Sequence, residues 1–304
     1  MRSFRFVLEY LLFAFIAAFV RILPLQTARS IGAWVGEAVY SLTGFRKSIT
    51  NENLQKAFPE KSAEEIQSLA LRSFRSIGTT FFELFWTENL TAEELQKEVK
   101  FQNPELVKTV QQKGKGVVLM TGHYGNWEWF AHSVNVSTGM PLHVIAKAQH
   151  NPYVDEWINR TRRHFGNVVI PMSASVRETL RVLSEGGVVG IVGDQSAAKE
   201  SVWVEFFGRR VPTHQGPAVF SLKTGAPMLV GFTQRQPDGT YVAEFRNVPM
   251  NDLTAYTPEN VEELTRRHVK MMEEIIRSQP EQWMWMHRRW KHAESTAVNQ
   301  GEES

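Results

Sequence analysis

Residues 117–130 read VVLMTGHYGNWEWF, and this stretch constrains the fold more than any other. Val117, Val118, Leu119 and Met120 form an apolar run with the length and composition of a short buried strand. Thr121 and Gly122 end it, and the polar turn His123-Tyr124-Gly125-Asn126 follows. Residues 127–134 then read as a helix with Asn126 as its N-cap. A strand that stops at a glycine-flanked turn and feeds a helix N-terminus is the unit of an open α/β sheet, and its carboxyl end is where such sheets place ligands. His123 lies in that turn. Glu128 follows five residues on, in the first helical turn, where a carboxylate can reach back to an imidazole nitrogen, fix its tautomer and stabilise the imidazolium. The pair has the make-up of a general base with its orienting partner. A histidine near a strand end is also a common surface or capping residue. What favours chemistry here is the crowding by Gly122, Gly125 and Asn126, small residues that let a substrate approach the backbone. His-x4-Glu is not a usual metal-ligand spacing and no HExxH occurs, so no metal is expected.

The rest of the chain alternates in the same way, as a βα sheet should. Strand patterns fall at 99–102, 142–147, 168–170, 188–192 and 202–207, with helical patterns at 103–112, 151–166, 175–185 and 215–223. Residues 227–234 and 241–248 read as a strand pair joined by the turn Pro237-Asp238-Gly239. Thr257, with Pro258 after it, caps a helix that runs to about residue 278. Before the first strand, Ser62 with Glu65 and Thr91 with Glu94 are capping boxes that open helices. The expected fold is α/β, a single domain with a largely parallel or mixed central sheet flanked by helices, plus an N-terminal membrane-associated helix. Residues 1–24 form the anchor, 25–95 a helical segment, 96–292 the α/β core and 293–304 a polar tail.

At 42% hydrophobic and 22% charged, the 304 residues are able to bury a large core. The net charge of +2 leaves no nucleic-acid footprint. The absence of cysteine excludes a disulfide framework, a thiolate nucleophile and a Cys-based zinc site. Nine Trp and nineteen Phe suit a protein that meets lipid. Residues 6–20 are nearly all apolar, interrupted by Glu9 and bracketed by Arg2, Arg5 and Arg21. This run is shorter than the roughly 20 residues that span a bilayer comfortably. A short or tilted spanning helix, an interfacial anchor and a buried core helix all fit it. A cleaved signal peptide fits less well, because Arg21 stands where a small-residue cleavage site belongs. Membrane association is the favoured reading. Downstream, Ala28, Gly32 and Gly36 form a small-residue ridge that permits close helix approach, in lipid or in a soluble bundle.

Four further groups are candidates for chemistry. Arg160, Arg162 and Arg163 bunch with His164 on one short helix, where guanidinium groups bind phosphate or carboxylate bidentately or simply form a solvated face. Asp194 follows an apolar strand, at the sheet edge where His123 is expected. Arg209 and Arg210 follow Phe206, Phe207 and Gly208, a pairing able to hold an acidic or phosphorylated acceptor unless the Phe residues join the core. Trp283, Trp285 and Trp290 share one short stretch with Arg288, Arg289 and Lys291, a combination that suits lipid headgroups if these Trp residues are not packed inside.

GHYGNWE, with its His-x4-acid spacing, resembles the active-site block of the bacterial lipid A biosynthesis acyltransferases of the late, lauroyl/myristoyl type. These are part of the glycerolipid acyltransferase superfamily. The resemblance continues through NPYVDEWINRTRRHFG from Asn151, VGDQSAAKESVWVEFFGRRVPTHQGPAVFSLKTGAPMLVGF from Val192 and PEQWMWMHRRWK from Pro280, in the family's order. It implies an acyltransferase without metal or other cofactor, with His123 and Glu128 catalytic and Asn126, Arg162, Asp194 and Arg209 binding substrate. Arg162, four residues before Gly166, matches the family's essential arginine. The family's Asp-x-Asp block is here Asp194-Gln195-Ser196, without the second acid. The donor would be acyl carrier protein, or else acyl-CoA. The acceptor would be a lipid A precursor at the cytoplasmic face of the inner membrane, and the enzyme a monomer. No Gly-x-Ser-x-Gly elbow exists, so direct transfer is expected, with backbone N–H groups of residues 125–127 holding the oxyanion. Two alternatives stand beside this one: acylation of another glycolipid or a lysophospholipid, and a membrane-tethered binding protein without catalysis.

Overall fold

In the computed structural model, residues 2–111, 115–197 and 201–293 are described. The chain begins with helices only: α1 (Arg2–Arg21), α2 (Leu25–Ala38), α3 (Lys47–Ala57), α4 (Ala63–Trp86) and α5 (Ala92–Glu98). Strands and helices then alternate through β1 (Val99–Phe101), α6 (Glu105–Gln111), β2 (Val117–Thr121), α7 (Trp127–Thr138), β3 (Leu142–Ala146), α8 (Pro152–Arg163), β4 (Val168–Pro171), α9 (Ser175–Ser184) and β5 (Val188–Val192). Strands β6 (Ser201–Phe206) and β7 (Arg209–His214), α10 (Gly216–Thr224), β8 (Met228–Arg235), β9 (Tyr241–Asn247) and α11 (Pro258–Ser278) complete it. The expected polar tail lies outside the described residues from position 294 onward.

Seven strands form the central sheet in the order β1-β9-β8-β2-β5-β3-β4. Strands β8, β2, β5, β3 and β4 run parallel, while β9 is antiparallel to β8 and parallel to β1. This is the mostly parallel sheet flanked by helices that the alternation predicts. The expected turn over 237–239 joins β8 to β9, and both capping boxes form, Ser62 with Glu65 and Thr91 with Glu94. Strand β2 is buried along its whole length. Val118 and Met120 enter the core on one face of the sheet, Val117 and Leu119 the core on the other. That double burial is why the strand is continuously apolar rather than alternating.

The Ala28-Gly32-Gly36 ridge is a helix-packing device. A Cβ on Gly36 would stand 2.0 Å from the Phe74 carbonyl oxygen of α4, and one on Gly78 would stand 2.1 Å from that of Gly32. Helix α1 packs sideways on the body, with Phe13 edge-on to both Phe85 of α4 and Trp157 of α8. Its other side exposes Phe4, Leu8, Leu11, Leu12, Phe15 and Phe19. Among the described residues no helix is long and apolar enough to cross a membrane, so the spanning form of the expected anchor is not what the structure presents.

One expectation is corrected. Trp283, Trp285 and Trp290 are 1%, 0% and 4% exposed and stack among themselves and on Phe206 and Phe207, so they are core and not a headgroup-facing stripe. Phe206 and Phe207 join the core as well, the alternative left open for them, and a strand follows. Phe207 (φ 52°) and Gly208 (φ 69°) make a two-residue turn with both φ values positive, and β7 pairs back on β6. A bulky residue rarely takes the left-handed conformation, so Phe207 hides the turn from a reading by composition.

Candidate active site

Strands β2 and β5 lie in register with Thr121 opposite Val192, so the chain leaves both at the same sheet edge. His123 and Asp194 therefore emerge side by side. Asp194 Oδ1 is 2.8 Å from His123 Nδ1, and Oδ2 accepts the His123 backbone N–H at 2.7 Å. The Trp283 indole N–H donates to the same Oδ2 at 2.8 Å. A carboxylate only accepts, so Nδ1 carries the proton and Nε2 is the basic nitrogen. The imidazole side chain is 20% exposed and that of Asp194 5% exposed.

The spacing assigns Glu128 to orient His123, and in the structure it does something else. Its carboxylate is held by Arg162, whose Nε lies 3.0 Å from Oε2 and whose terminal nitrogen lies 2.7 Å from Oε1. The partner fixing the His123 ring is Asp194. The physical reason is direction: Glu128, in the first turn of α7, reaches toward α8 rather than back over the turn. Trp127 stands between the two pairs. Its ring packs edge-on against His123 at 5.0 Å, and its Nε1–H reaches Glu128 Oε1 at 3.3 Å. Of the three bunched arginines only Arg162 meets Glu128, while Arg160 bonds Glu88 and Arg163 bonds Glu156 on the exposed side. Arg209 opens β7 opposite Phe206.

Asn126 is fully buried. Its Oδ1 accepts the Trp129 N–H at 2.9 Å, the N-cap bond of α7, and its Nδ2 donates to Glu83 at 3.0 Å. The side chain expected to touch substrate is thus a cap. Gly122 and Gly125 are small for the protein's own sake. A Cβ on Gly122 would lie 3.1 Å from Asp194 Oδ2, and one on Gly125 (φ +57°) would lie 2.1 Å from the Thr233 carbonyl oxygen. Two of the backbone donors expected for an oxyanion are also taken: the Gly125 N–H goes to Gln282 O and the Asn126 N–H to Thr233 Oγ1. The N–H groups of Trp127 and Glu128 lie at the first two helical positions, where the helix itself supplies no acceptor.

The electrostatics separate the roles. Burial disfavours the imidazolium of His123, but the charge and hydrogen bond of Asp194 outweigh it, and the pKa is raised above its ordinary value. Burial would raise the Asp194 pKa, yet His123, its backbone N–H and Trp283 bring it down to about 2. Burial also opposes ionisation of Glu128, and Arg162 overcomes it, so that carboxyl stays below its usual range. Glu128 is a fixed anion and not a proton donor.

Sequence reasoning missed the C-terminal segment. Trp283 bridges Tyr124 through the backbone, the Met284 N–H donates to His123 O at 3.0 Å, and Ser73 of α4 bonds Trp283 O. The one signal for it is the block from Pro280, whose tryptophans suit lipid by composition and serve the site by position.

Residues 2–292 match the family model of the bacterial lipid A biosynthesis acyltransferases. The lipid A biosynthesis palmitoleoyltransferase of Escherichia coli (strain K12) is 26% identical over 275 residues, 88% of this chain and 86% of that protein. The lipid A biosynthesis lauroyltransferase of the same organism is 24% identical over 275 residues, 88% and 87% of the two chains. A phosphatidylinositol mannoside acyltransferase of Mycobacterium tuberculosis is 28% identical over 124 residues, 38% of each. With the family model covering nearly the whole chain and the paired side chains at one sheet edge, this protein belongs to the bacterial lipid A biosynthesis acyltransferase family and is an acyltransferase.

Proposed function

We propose that the protein transfers a fatty acyl chain from the thioester of acyl carrier protein to a hydroxyl of a lipid A precursor, with His123 as general base. The observation that carries this reading is the 2.8 Å contact of Asp194 with Nδ1, which leaves Nε2 to take a proton. The acceptor O–H bond breaks, its proton passes to Nε2, and the oxygen bonds the thioester carbonyl carbon. The C–S bond then breaks, and the proton returns from His123 to the departing thiolate. Asp194, already ionised, balances the imidazolium between these steps. Glu128 cannot intercept the proton, because Arg162 holds it as the anion. The developing oxyanion is served by the N-terminal amides of α7, those of Trp127 and Glu128, together with the positive end of the helix dipole.

Supporting a lipid acceptor, α1 presents its apolar stripe outward while its other side is fixed to the body, the arrangement of an interfacial helix. A lipid A precursor is favoured over a phosphatidylinositol mannoside because the lipid A relatives match 88% of the chain at 24% and 26% identity, while the mycobacterial relatives match either 38% of it or 78% at 21% identity. The test is acyl transfer by purified protein, with radiolabelled acyl-acyl carrier protein, acyl-CoA and a panel of lipid acceptors. Transfer to the lipid A precursor that is lost in His123→Ala is the expected result. Wild-type turnover by a folded His123→Ala protein would refute the mechanism, and transfer to another acceptor alone would refute the substrate.

A further inference from the structure

Against Gly125 and Asn126 of the His123 turn packs α4, with a buried carboxylate that the mechanism above does not use. Glu83 of α4 is 0% exposed and accepts four donors. Arg29 Nε of α2 reaches Oε1 at 2.7 Å. Tyr241 Oη, Asn126 Nδ2 and an Arg235 terminal nitrogen reach Oε2 at 2.6, 3.0 and 3.1 Å. One turn earlier on α4, Thr80 donates to the Gly125 carbonyl at 2.9 Å and accepts from Arg235 at 3.0 Å. Elements far apart in sequence thus converge on one anion directly under the turn.

A buried ionic cluster of this kind is weak as a source of stability, because well-packed apolar residues of similar volume often do as well or better. What it supplies is orientation. Asn126 has two chemically different ends, and Glu83 accepts only from the Nδ2 end. That contact directs Oδ1 at the Trp129 N–H and makes it the cap of α7. The first turn of α7 carries Trp127 and Glu128, so the setting of the cap is passed to the contact of Trp127 with His123 and to the grip of Arg162 on Glu128.

We propose that Glu83 is a positioning residue for acyl transfer, acting through Asn126 to fix the N-terminus of α7 and hence the placing of His123 and Glu128. The inference rests on the reaction proposed above. The informative substitution is Asn126→Asp. Aspartate caps a helix as well as asparagine does and complements its dipole, so on helix grounds the change is harmless. Its only fault is that a second carboxylate faces Glu83, and two carboxylates sharing a buried site cannot both stay ionised. Glu83→Gln then relieves that conflict: the glutamine turns its amide nitrogen to the new carboxylate at position 126 and its oxygen to Arg29, while Arg235 keeps Tyr241, Ser76 and Thr80 as acceptors. Glu83→Gln alone keeps an acceptor oxygen toward Asn126, Tyr241 and Arg235, and disturbs chiefly Arg29.

The test is a double-mutant cycle in kcat for Asn126→Asp, Glu83→Gln and the pair, measured well below each protein's Tm with acyl-acyl carrier protein and a lipid A precursor. Near-UV circular dichroism checks the fold, and His123→Ala is run beside it. Asn126→Asp is expected to lower kcat on the order of a hundredfold, the scale of an ångström-level misplacement, with KM little changed. Adding Glu83→Gln recovers most of that loss. Additive losses in kcat in folded proteins would overturn the proposal, because a merely structural role couples the two sites in Tm and not in turnover. If either single variant fails to fold, a folded double variant with high kcat still supports the coupling, and one with low kcat refutes it. Activity surviving in His123→Ala would instead strike the reaction mechanism, leaving the outcome of the cycle to be read separately.

Discussion

Asp194→Asn exchanges one oxygen for an amide nitrogen, and the structure dictates which one. Two donors converge on Oδ2, the His123 backbone N–H at 2.7 Å and the Trp283 indole N–H at 2.8 Å, and neither can be reversed. The asparagine oxygen must therefore stay at the Oδ2 position, which turns its NH2 group to His123 Nδ1. Nδ1 then has to accept, and the proton moves to Nε2, the nitrogen that should be the base. A misassigned tautomer of this kind costs on the order of 10⁴ in kcat at neutral pH in a hydrolase triad, and a loss of that order is expected here. The fall of the Asp194 pKa from 3.8 to about 2, at 1.36 kcal/mol per unit, is roughly 2 kcal/mol net of burial, and it is shared among the His123 charge and hydrogen bond, the His123 backbone N–H and Trp283. Without the carboxylate, burial and the charge of Arg162 lower the imidazole pKa against Glu128 only, so the alkaline-rising limb of kcat/KM moves down from its raised wild-type position. The assay is transfer from labelled acyl-acyl carrier protein across pH 5 to 9. A folded variant within tenfold of wild type, with its limb unmoved, would show that Asp194 does not set the tautomer.

Arg162→Lys is expected to lower kcat/KM at least tenfold, because lysine keeps the charge but not the two-pronged grip on Glu128. Arg160→Lys and Arg163→Lys, whose own side chains are exposed and do not meet Glu128, stay near wild type, and steady-state kinetics on the three proteins separate them. On α1, the triple substitution Leu8→Asp, Leu12→Asp and Phe15→Asp removes three of the exposed apolar side chains, each worth about 1.5–3 kcal/mol when fully buried. Vesicle flotation should show membrane binding reduced more than tenfold, and unchanged flotation would remove α1 as the docking face.

What is legible in the sequence is mostly local. The β2 run, the Asn126 cap, both capping boxes and the turn at 237–239 each depend on residues within a few positions of one another. Strand adjacency is not of that kind. That β2 lies beside β5, and so His123 beside Asp194, follows from the order in which seven strands assemble, and a rule limited to near neighbours selects Glu128 five residues away instead of Asp194 seventy-one residues away. Both acids stand out as candidates in the sequence, but their pairing does not. Trp283 shows the same limit, since three tryptophans among basic residues suit a membrane surface by composition, and only the return of the C-terminal segment across Tyr124 buries them. Glu83 gives no local sign at all, because the donors that surround it come from α2, the His123 turn, β8 and β9.

The same dyad sets stability and activity against each other as pH changes. Asp194 has a depressed pKa in the fold, so its contribution is present above the unfolded value of 3.8 and is lost as pH falls through about 2. His123 has a raised pKa, so its contribution is fully present below the unfolded value of 6.5 and is lost as pH rises through the higher folded value. The two shifts report one interaction and are counted once. Its full effect therefore falls between pH 3.8 and 6.5, where His123 is protonated and unable to serve as base. Raising the pH into the catalytic range removes the proton and part of that ion pair together. The expected result is a Tm difference between wild type and Asp194→Asn that is largest near pH 5 and shrinks as kcat/KM climbs its alkaline limb. Scanning calorimetry at a series of pH values reads it directly. A difference that stayed constant while activity rose would show that the charge of the His123–Asp194 pair contributes nothing to the fold.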